Sequence, residues 1–531
     1  MKKFNTTGLC NPNRHYMVDI RERLAEIKAM VDEGDYFCIN RARQYGKTTT
    51  LSALRKYLSD EYEVVGLSFQ KIGQAGFESE GAFVQNLTRL LLAASEFAGV
   101  VIPQQQMDAF ESLCRRNSAE VRMDEIFWIL LRWCKAAPKG LILIIDEVDS
   151  ATNNQVFLDF LAQLRDMYLE RDASEMPAFQ SVILAGVTDV RHLKAKIRPD
   201  EAHKENSPWN IAADFNIDMS LSEDGIRGML TEYEADHHTG MDTAEMAHQL
   251  RACTSGYPYL VSRLCQLMDG PVSAKLGSLS AAWTGQGLDE AIKIVLADGN
   301  DTLFGSLMGK LTNIPRLKRQ LRSVLMQGSV IAWKPFDEEQ ALLSMYGFIK
   351  NDHNRVVISN RIFEMALYQY FLGETDKNEA FQKDALAHKS IFLNEDHTLN
   401  MPKILEHFVE AQAIIHGEKD EKFLEEEGRE RFLTYISPII NGTGTFSIEE
   451  QTRDQRRMDV VIHYLGQRYV VELKIWHGQR YNEDGEKQII GYLDYFGLST
   501  GYMVSFCFNQ KKEPGVQRLT FGDRVLFEAV V

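Results

Sequence analysis

Residues 40–49 read Asn-Arg-Ala-Arg-Gln-Tyr-Gly-Lys-Thr-Thr and contain the second half of the phosphate-binding pattern GxxxxGK[ST]. The short apolar stretch 36–40 leads into them, and the helical stretch LSALRKYL follows. The pattern requires this context, because backbone amides at a helix N-terminus cradle phosphate groups. The stretch therefore predicts a strand–loop–helix unit of a parallel sheet that carries a nucleotide site.

Each residue type in this loop suits one part of that chemistry. Gly46 and the first helical turn, which includes Thr49, would supply amides to the phosphates of ATP. Lys47 would reach the β- and γ-phosphates, and the Thr48 hydroxyl would ligate Mg²⁺. Arg41 departs from the pattern, because it stands where the first glycine is expected and is less free to adopt an unusual backbone angle. A chance GKT at a helix start is the alternative, which the flanking strand and helix disfavour.

The second nucleotide element is LILIIDEVD at 141–149. A continuous apolar run suits a strand that is buried on both faces of a parallel sheet. Asp146 at its end would hold Mg²⁺ through water, and Glu147 would polarise the attacking water. The alternative is an ordinary sheet strand whose acids are solvated.

Two further segments are expected near the nucleotide. The strand SVILAGV (181–187) ends before Thr188 and Asp189, so a polar residue there would sense the γ-phosphate, although an ordinary strand end explains it equally well. In TSGYPYL (254–260), Gly256 and Pro258 would shape a turn near the base. Arg263 would reach a phosphate or, in the favoured interpretation, be a surface or structural arginine.

A different pattern appears after residue 445, where β-type sequence dominates. Asp459 opens one predicted strand of a hairpin, and the other strand carries Glu472 and Lys474, which share a face because side chains alternate along a strand. Asp459 and Glu472 would bind Mg²⁺ or Mn²⁺, hard cations that prefer oxygen. Lys474 would orient a metal-activated water against a scissile phosphate. The alternative is a hairpin with a surface Glu–Lys pair.

Residues around the hairpin extend this candidate site. Gln488 and Tyr492 are four apart on a predicted helix and share one face of it. Either Glu427 or Glu430, on an upstream helix, would add a carboxylate, although a solvated acidic face is slightly favoured for each. Three arginines would contact DNA phosphates or neutralise nearby acids: Arg453, Arg456 and Arg457.

Composition limits the class of protein. A single hydrophobic core stops growing near ~250–300 residues, so a chain of 531 residues predicts several domains. The formal net charge of −16 argues against a surface coated with non-specific nucleic-acid contacts, but it permits a local basic groove. Seven dispersed cysteines without a CxxC pair, together with the lack of a signal sequence or a long apolar run, predict a cytoplasmic protein.

The order of helical and β-type segments predicts an α/β fold with several parts. Two helical stretches and the hairpin 346–360 favour a winged helix, and a small helical lid with a hairpin is the alternative. The predicted parts are a P-loop ATPase domain at 1–219, a helical lid at 220–299, a winged-helix-like domain at 300–375, a helical connector at 376–426 and a nuclease-like α/β domain at 427–531.

Five segments together resemble a bacterial AAA-ATPase-like family that is typically fused to a nuclease domain of the PD-(D/E)xK superfamily. They are INRARQYGKTTTL, LILIIDEVD, SVILAGVTDV, KIRPDEAHKENSPWNIAADF and TSGYPYLVSRLC. Asp459 with Glu472-Leu473-Lys474 resembles the core of that superfamily, and Gln488 with Tyr492 resembles its QxxxY helix motif. The family is similar to archaeal-type and STAND ATPases, in which an arginine-rich loop precedes GK[ST], so the resemblance makes Arg41 a family variant.

Three functions are compatible with these patterns. The first is an ATPase whose nucleotide state controls a metal-dependent, DNA-directed nuclease, in DNA processing or defence. The second is a non-catalytic nucleotide switch with an inactive nuclease-like binding module, and the third is a signalling ATPase that assembles on a trigger. The expected cofactors are ATP and Mg²⁺ (or Mn²⁺ at the nuclease site). DNA is an expected partner, a membrane is not, and a homo-oligomer is left open.

Overall fold

In the computed structural model, four strands form the parallel sheet that the nucleotide motifs predict. They are β1 (Tyr36–Asn40), β2 (Glu63–Ser68), β3 (Leu141–Asp146) and β4 (Ser181–Gly186), in the order β1-β4-β3-β2. All neighbouring pairs are parallel. The strands therefore end at one common edge, where the loops after β1, β3 and β4 lie close together.

The structure describes most of the chain in ranges separated by gaps. The chain divides into two compact units, residues 1–287 with 341–348, and residues 288–340 with 349–531. The described residues are 2–188, 190, 208–299, 301–326, 331–372, 385, 388–416, 425–440, 444–448, 460–475, 489–494, 497–507 and 513–531.

Helices cover both faces of the parallel sheet, which explains why residues 141–145 of β3 are all apolar. Ile142 and Ile144 pack on one face, and Leu141, Leu143 and Ile145 pack on the other. The first face is covered by α1 (Arg21–Asp32) and α2 (Lys47–Leu58). The second is covered by α3 (Glu80–Ala98), α4 (Gln104–Arg115), α5 (Met123–Ala136) and α6 (Gln155–Ser174).

The region after the sheet is helical, as its sequence predicts. Ser222 and Asp242 begin helices by accepting hydrogen bonds from first-turn amides, the usual role of these residue types. The helices are α7 (Glu223–His237), α8 (Thr243–Thr254), α9 (Pro258–Leu267), α10 (Ser273–Leu276), α11 (Leu279–Ala282) and α12 (Gly285–Ala297), with a π-helical turn at Met268–Val272.

Three helices, a hairpin and a fourth helix follow. His353 and Asn354 both have positive φ, which suits a tight two-residue turn between antiparallel strands. The elements that led to the winged-helix prediction are therefore present, while the winged helix itself stays a prediction. They are α13 (Thr302–Asn313), α14 (Pro315–Met326), α15 (Glu338–Met345), β5 (Ile349–Asp352), β6 (Arg355–Ile358) and α16 (Arg361–Leu372).

The C-terminal part forms a six-stranded mixed sheet in the order β11-β12-β10-β9-β8-β7. Strands β9, β10 and β12 are parallel, and the other pairs are antiparallel. The strands are β7 (Gly444–Ile448), β8 (Val460–Tyr464), β9 (Gln467–Ile475), β10 (Thr500–Phe506), β11 (Gly515–Phe521) and β12 (Arg524–Val530).

Helix α17 (Met401–His416) packs on this sheet together with α18 (Glu425–Ile440). The sequence pattern assigned α17 to a connector at 376–426. Its apolar face is instead buried, and Phe408 meets Phe506 of β10 edge to face with ring centroids 6.5 Å apart. Within the described ranges, none of the helices is both long and apolar enough to span a bilayer.

Gly256 gives a test of how the turn before α9 packs on the segment that precedes α7. Its φ is +70°, and a Cβ built there would lie 2.2 Å from the Leu221 carbonyl oxygen. Gly256→Ala is therefore expected to lower the free energy of unfolding by about 1–3 kcal/mol, because both left-handed strain and the overlap act on the folded state.

Gly228→Ala is the matched control, since Gly228 lies exposed within α7 with no atom within 4 Å of a built Cβ. It should raise the free energy of unfolding by up to about 1 kcal/mol through helix propensity. Urea denaturation of both variants measures the two effects, and equal effects of the same sign would contradict the packing described here.

Candidate nucleotide site

The loop from Arg41 to Gly46 joins β1 to α2 at the carboxyl edge of the sheet, as the sequence predicts. Gly46 is the N-cap residue of α2. Its φ is +80°, a backbone angle that favours glycine over residues with a side chain. Gly46, the N-cap residue, has no side chain that could accept hydrogen bonds from the first-turn amides of α2. The loop and the start of this helix therefore together have the form of an anion-binding site.

Lys47 is held inside this loop. Its side chain is buried, and Nζ donates hydrogen bonds to the carbonyl oxygens of Arg41 at 2.8 Å and Ala42 at 2.9 Å. Burial lowers the pKa of the Lys47 ammonium, and three acids at or just after the end of β3 oppose that shift: Asp149, Glu147 and Asp146. The ammonium thus lies next to both the loop backbone and the acids that end β3.

The side chain of Thr48 joins the two predicted nucleotide motifs directly. Its Oγ1 donates to Asp146 Oδ2 at 2.9 Å, although the two residues are far apart in sequence. The other Asp146 oxygen accepts the Glu147 backbone N–H at 2.9 Å. The structure therefore brings together the hydroxyl and the carboxylate that were predicted to share a Mg²⁺ ion.

Glu147 follows in a left-handed conformation, with a φ of +56°. Non-glycine residues rarely adopt this region, and such residues cluster at functional sites. Burial raises the pKa of the Glu147 carboxyl, and the neighbouring Asp146 charge raises it further, while Lys47 opposes both. These features suit a carboxylate that accepts a proton from water.

Thr49, in the first turn of α2, and Arg41, in the loop, have partners that the sequence did not predict. The Thr49 hydroxyl accepts the backbone N–H of Cys10 at 3.3 Å, so it contacts the N-terminal segment. Arg41 turns away from the loop and donates to the carbonyl oxygens of Ile217 at 2.8 Å and Phe215 at 3.4 Å. Arg41 thus ties the loop to the segment after β4, a role open to an arginine but not to the glycine of the usual pattern.

The turn before α9 packs on the phosphate-binding loop. The Tyr257 hydroxyl donates to the Arg43 carbonyl oxygen, and the Tyr257 ring lies edge to face with Tyr45 at 4.8 Å between centroids. Pro258 begins α9. Arg263 Nη1 donates to Gln266 Oε1 at 2.8 Å, and the role of this arginine stays a prediction.

In the C-terminal sheet, Glu472 and Lys474 point to one face of β9, as predicted. Lys474 Nζ lies 3.0 Å from Glu472 Oε1, and the Glu472 side chain is fully buried. A surface Glu–Lys pair is therefore not what this strand carries. Tyr492 packs with Val470 and Met503, in the cluster on the same side of the sheet.

Two acids of α18 and several further residues were predicted to extend this second site. Glu430 accepts a hydrogen bond from Arg322 Nη2 at 2.6 Å, so its carboxylate is engaged in an ion pair. Glu427 lies in α18. Outside the described residues lie Asp459, Gln488, Arg453, Arg456 and Arg457, and also Asp189, which was predicted near the γ-phosphate of the nucleotide site.

The sequence analysis missed one buried acid in this sheet. Glu528 on β12 is fully buried and accepts hydrogen bonds from Ser505 Oγ at 2.7 Å and from Gln517 Nε2. Met503 is the register partner of both Glu528 and Glu472, so the two acids lie on one face with a single strand between them. An acid in the otherwise apolar end of β12 was the available signal.

The parallel sheet with its phosphate-binding loop, the buried lysine and the Thr48–Asp146 contact define a P-loop nucleotide-binding protein of the α/β class. A family model described as an AAA-like domain matches residues 14–372, more than half of the sequence. The chain therefore belongs to the AAA-like domain family. No curated protein matches the sequence.

Several solved structures are similar to this chain at 11–12% identity. A Walker-type ATPase of Pyrococcus abyssi has a TM-score of 0.46, with 68% of this chain and 99% of that chain covered. The ORC2 protein of Aeropyrum pernix in ADPNP–ADP complexes has a TM-score of 0.36, with coverages of 69% and 98%. The RuvB Holliday junction branch migration motor of Thermotoga maritima has a TM-score of 0.32, with coverages of 64% and 92%.

Replacing the buried lysine should lower the affinity for nucleotide. Lys47→Ala is expected to weaken Mg-ATP binding by about tenfold to a hundredfold, because a charged hydrogen bond contributes roughly 1.5–3 kcal/mol. Isothermal titration calorimetry measures the affinity, and thermal unfolding of the same samples shows whether the fold is kept. The control is Lys56→Ala, an exposed lysine on the same helix. Equal Mg-ATP affinity of the two variants would contradict the assignment.

Proposed function

We propose that this protein binds and hydrolyses Mg-ATP at the carboxyl edge of its parallel sheet. The observation that carries the proposal is the hydrogen bond from Thr48 to Asp146, with buried Lys47 in the adjacent loop. A hydroxyl and a carboxylate within 2.9 Å of each other form a hard oxygen donor set, which fits Mg²⁺. The ion, when bound, would neutralise charge on the phosphates.

The chain's own groups would divide the remaining work. Lys47 would leave the two loop carbonyls and bind the terminal phosphates, and the first turn of α2 would bind them through its amides. Glu147 would orient a water and take its proton. Thr188, after β4, would contact the γ-phosphate and so distinguish ATP from ADP.

The raised pKa of Glu147 predicts the pH dependence of hydrolysis. A general base works when deprotonated, so kcat should fall as the pH falls through the pKa of Glu147. Because burial and Asp146 raise that pKa, the acid limb should lie above the usual glutamate value of about 4.3. Glu147→Gln should lower kcat by about a hundredfold or more, should keep Mg-ATP binding and should lack this limb.

A phosphate-release assay between pH 4.5 and 8.5, with calorimetry for binding, measures both effects. Glu170→Gln, an exposed acid on α6, is the control. A variant at position 147 that keeps the wild-type rate and pH profile would rule out this glutamate as the base.

For the C-terminal part we propose a nuclease-type domain that acts on DNA with Mg²⁺ or Mn²⁺. The buried Glu472–Lys474 pair supports this proposal, because burial of charged groups is costly and is usually kept for function. Glu472 and Asp459 would hold the ion, which would activate a water, and Lys474 and Gln488 would orient it. The predicted domain limits stay proposals. We group residues 401–416 with the proposed nuclease-type domain, because α17 packs on its sheet.

The other two functions, a non-catalytic switch and a signalling ATPase, share the nucleotide site and differ in the C-terminal part. A cleavage assay with a variant at Glu472 separates these two functions from the nuclease. Incubation of the full chain with plasmid and single-stranded DNA, with and without ATP, should give cleavage that needs Mg²⁺ or Mn²⁺. Glu472→Gln should reduce this cleavage more than about tenfold, since even indirect metal contacts commonly contribute that much.

Asp523→Asn is the control, because this acid lies 87% exposed in the turn before β12. Cleavage by the wild type that Glu472→Gln leaves unchanged would refute the site. If no DNA form is cut, light scattering with ATP separates the two remaining functions, since only the signalling ATPase should assemble.

A further inference from the structure

One acid beside the nucleotide site, Asp149, has no part in the proposed chemistry. It lies in the short helical turn Val148–Ser150 that follows β3 and Glu147. Its Oδ2 accepts the backbone N–H of Val187 at 2.7 Å, and its Oδ1 accepts that of Thr188 at 2.8 Å. Both carboxylate oxygens are therefore bonded to the two residues that follow β4.

The approach of Asp149 to β4 depends on Gly186, the last residue of that strand. A Cβ built on Gly186 would lie 2.9 Å from Val148 Cγ2 and 3.0 Å from Asp149 Oδ2. The Gly186 carbonyl oxygen also accepts the backbone N–H of Arg41 at 3.2 Å. The end of β4 is thus held on one side by the first residue of the phosphate-binding loop and on the other by Asp149.

Through these hydrogen bonds, the end of β4 and the two residues after it are joined to both nucleotide motifs. In the sheet order β1-β4-β3-β2, β4 lies between the strand before the phosphate-binding loop and the strand that carries Asp146. A shift of either neighbour would move the backbone of Thr188 through these three hydrogen bonds. Hydrogen bonds from amides to an ionised carboxylate are shorter and stronger than neutral ones, which suits this role.

We propose that Asp149 is a positioning residue that fixes Thr188 for contact with the γ-phosphate, so that it sets the preference for ATP over ADP. The inference rests on the proposed nucleotide site. An aspartate is needed because both of its oxygens accept, whereas asparagine of the same shape would turn an NH₂ group toward one of the two backbone amides. ADP lacks the phosphate that Thr188 would touch, so its affinity should not depend on Asp149.

The test compares D149N, T188V and the double variant in the full chain. Calorimetry with Mg²⁺ gives the affinity for ADP and for a non-hydrolysable ATP analogue, and phosphate release gives kcat and KM for ATP. Each single variant should keep ADP affinity within about twofold and weaken the ATP analogue roughly tenfold, as expected for a lost charged hydrogen bond. In each single variant, the fold-decrease in kcat should be larger than the fold-decrease in 1/KM.

The double variant should have about the same affinity for the ATP analogue as the single variant that binds it more weakly, because both substitutions remove the same contact. D159N, an exposed aspartate on α6, is the control for the substitution type. Three outcomes would each overturn the proposal. They are equal losses of affinity for ADP and for the ATP analogue, additive effects in the double variant, and a ratio of the two affinities in D149N that equals the wild-type ratio. Binding without hydrolysis by the wild type would refute the proposed ATPase activity alone, since the ratio of the two affinities still tests Asp149.

Discussion

The nucleotide site depends on the common carboxyl edge of four parallel strands. Ser68 of β2 is in register with Asp146 of β3, and Asn40 of β1 is in register with Gly186 of β4. The strands therefore end within about one residue of each other, which brings the loops after β1, β3 and β4 into hydrogen-bonding distance. The contact of Thr48 with Asp146 exists only because this register is kept.

Local sequence was sufficient to predict this part of the fold. The GKT motif between a short apolar stretch and a helical stretch predicted a strand–loop–helix unit, and the apolar run 141–145 predicted a strand buried on both faces. The roles of Arg41 and Asp149 were not predictable in this way. Their partners are backbone groups at 215–217 and 187–188, and backbone groups carry no residue-specific signal in a sequence.

The C-terminal part shows the same limit. Alternation along β9 predicted that Glu472 and Lys474 share a face, and the 3.0 Å contact agrees with it. The burial of Glu528 could not be inferred, because it results from the placement of β12 beside β10, a pairing between distant segments. Helix α17 was assigned to a connector for a similar reason, since its apolar face packs on strands that follow much later in the chain.

The central claim is that the loop 41–46 and the start of α2 bind a triphosphate. The most direct measurement is a structure of the full chain with Mg²⁺ and a non-hydrolysable ATP analogue. We expect the triphosphate over this loop, Lys47 Nζ moved from the Arg41 and Ala42 carbonyl oxygens to a phosphate, and the ion beside Thr48. Nucleotide bound elsewhere at saturating concentration, with Lys47 still bonded to both carbonyls, would contradict it.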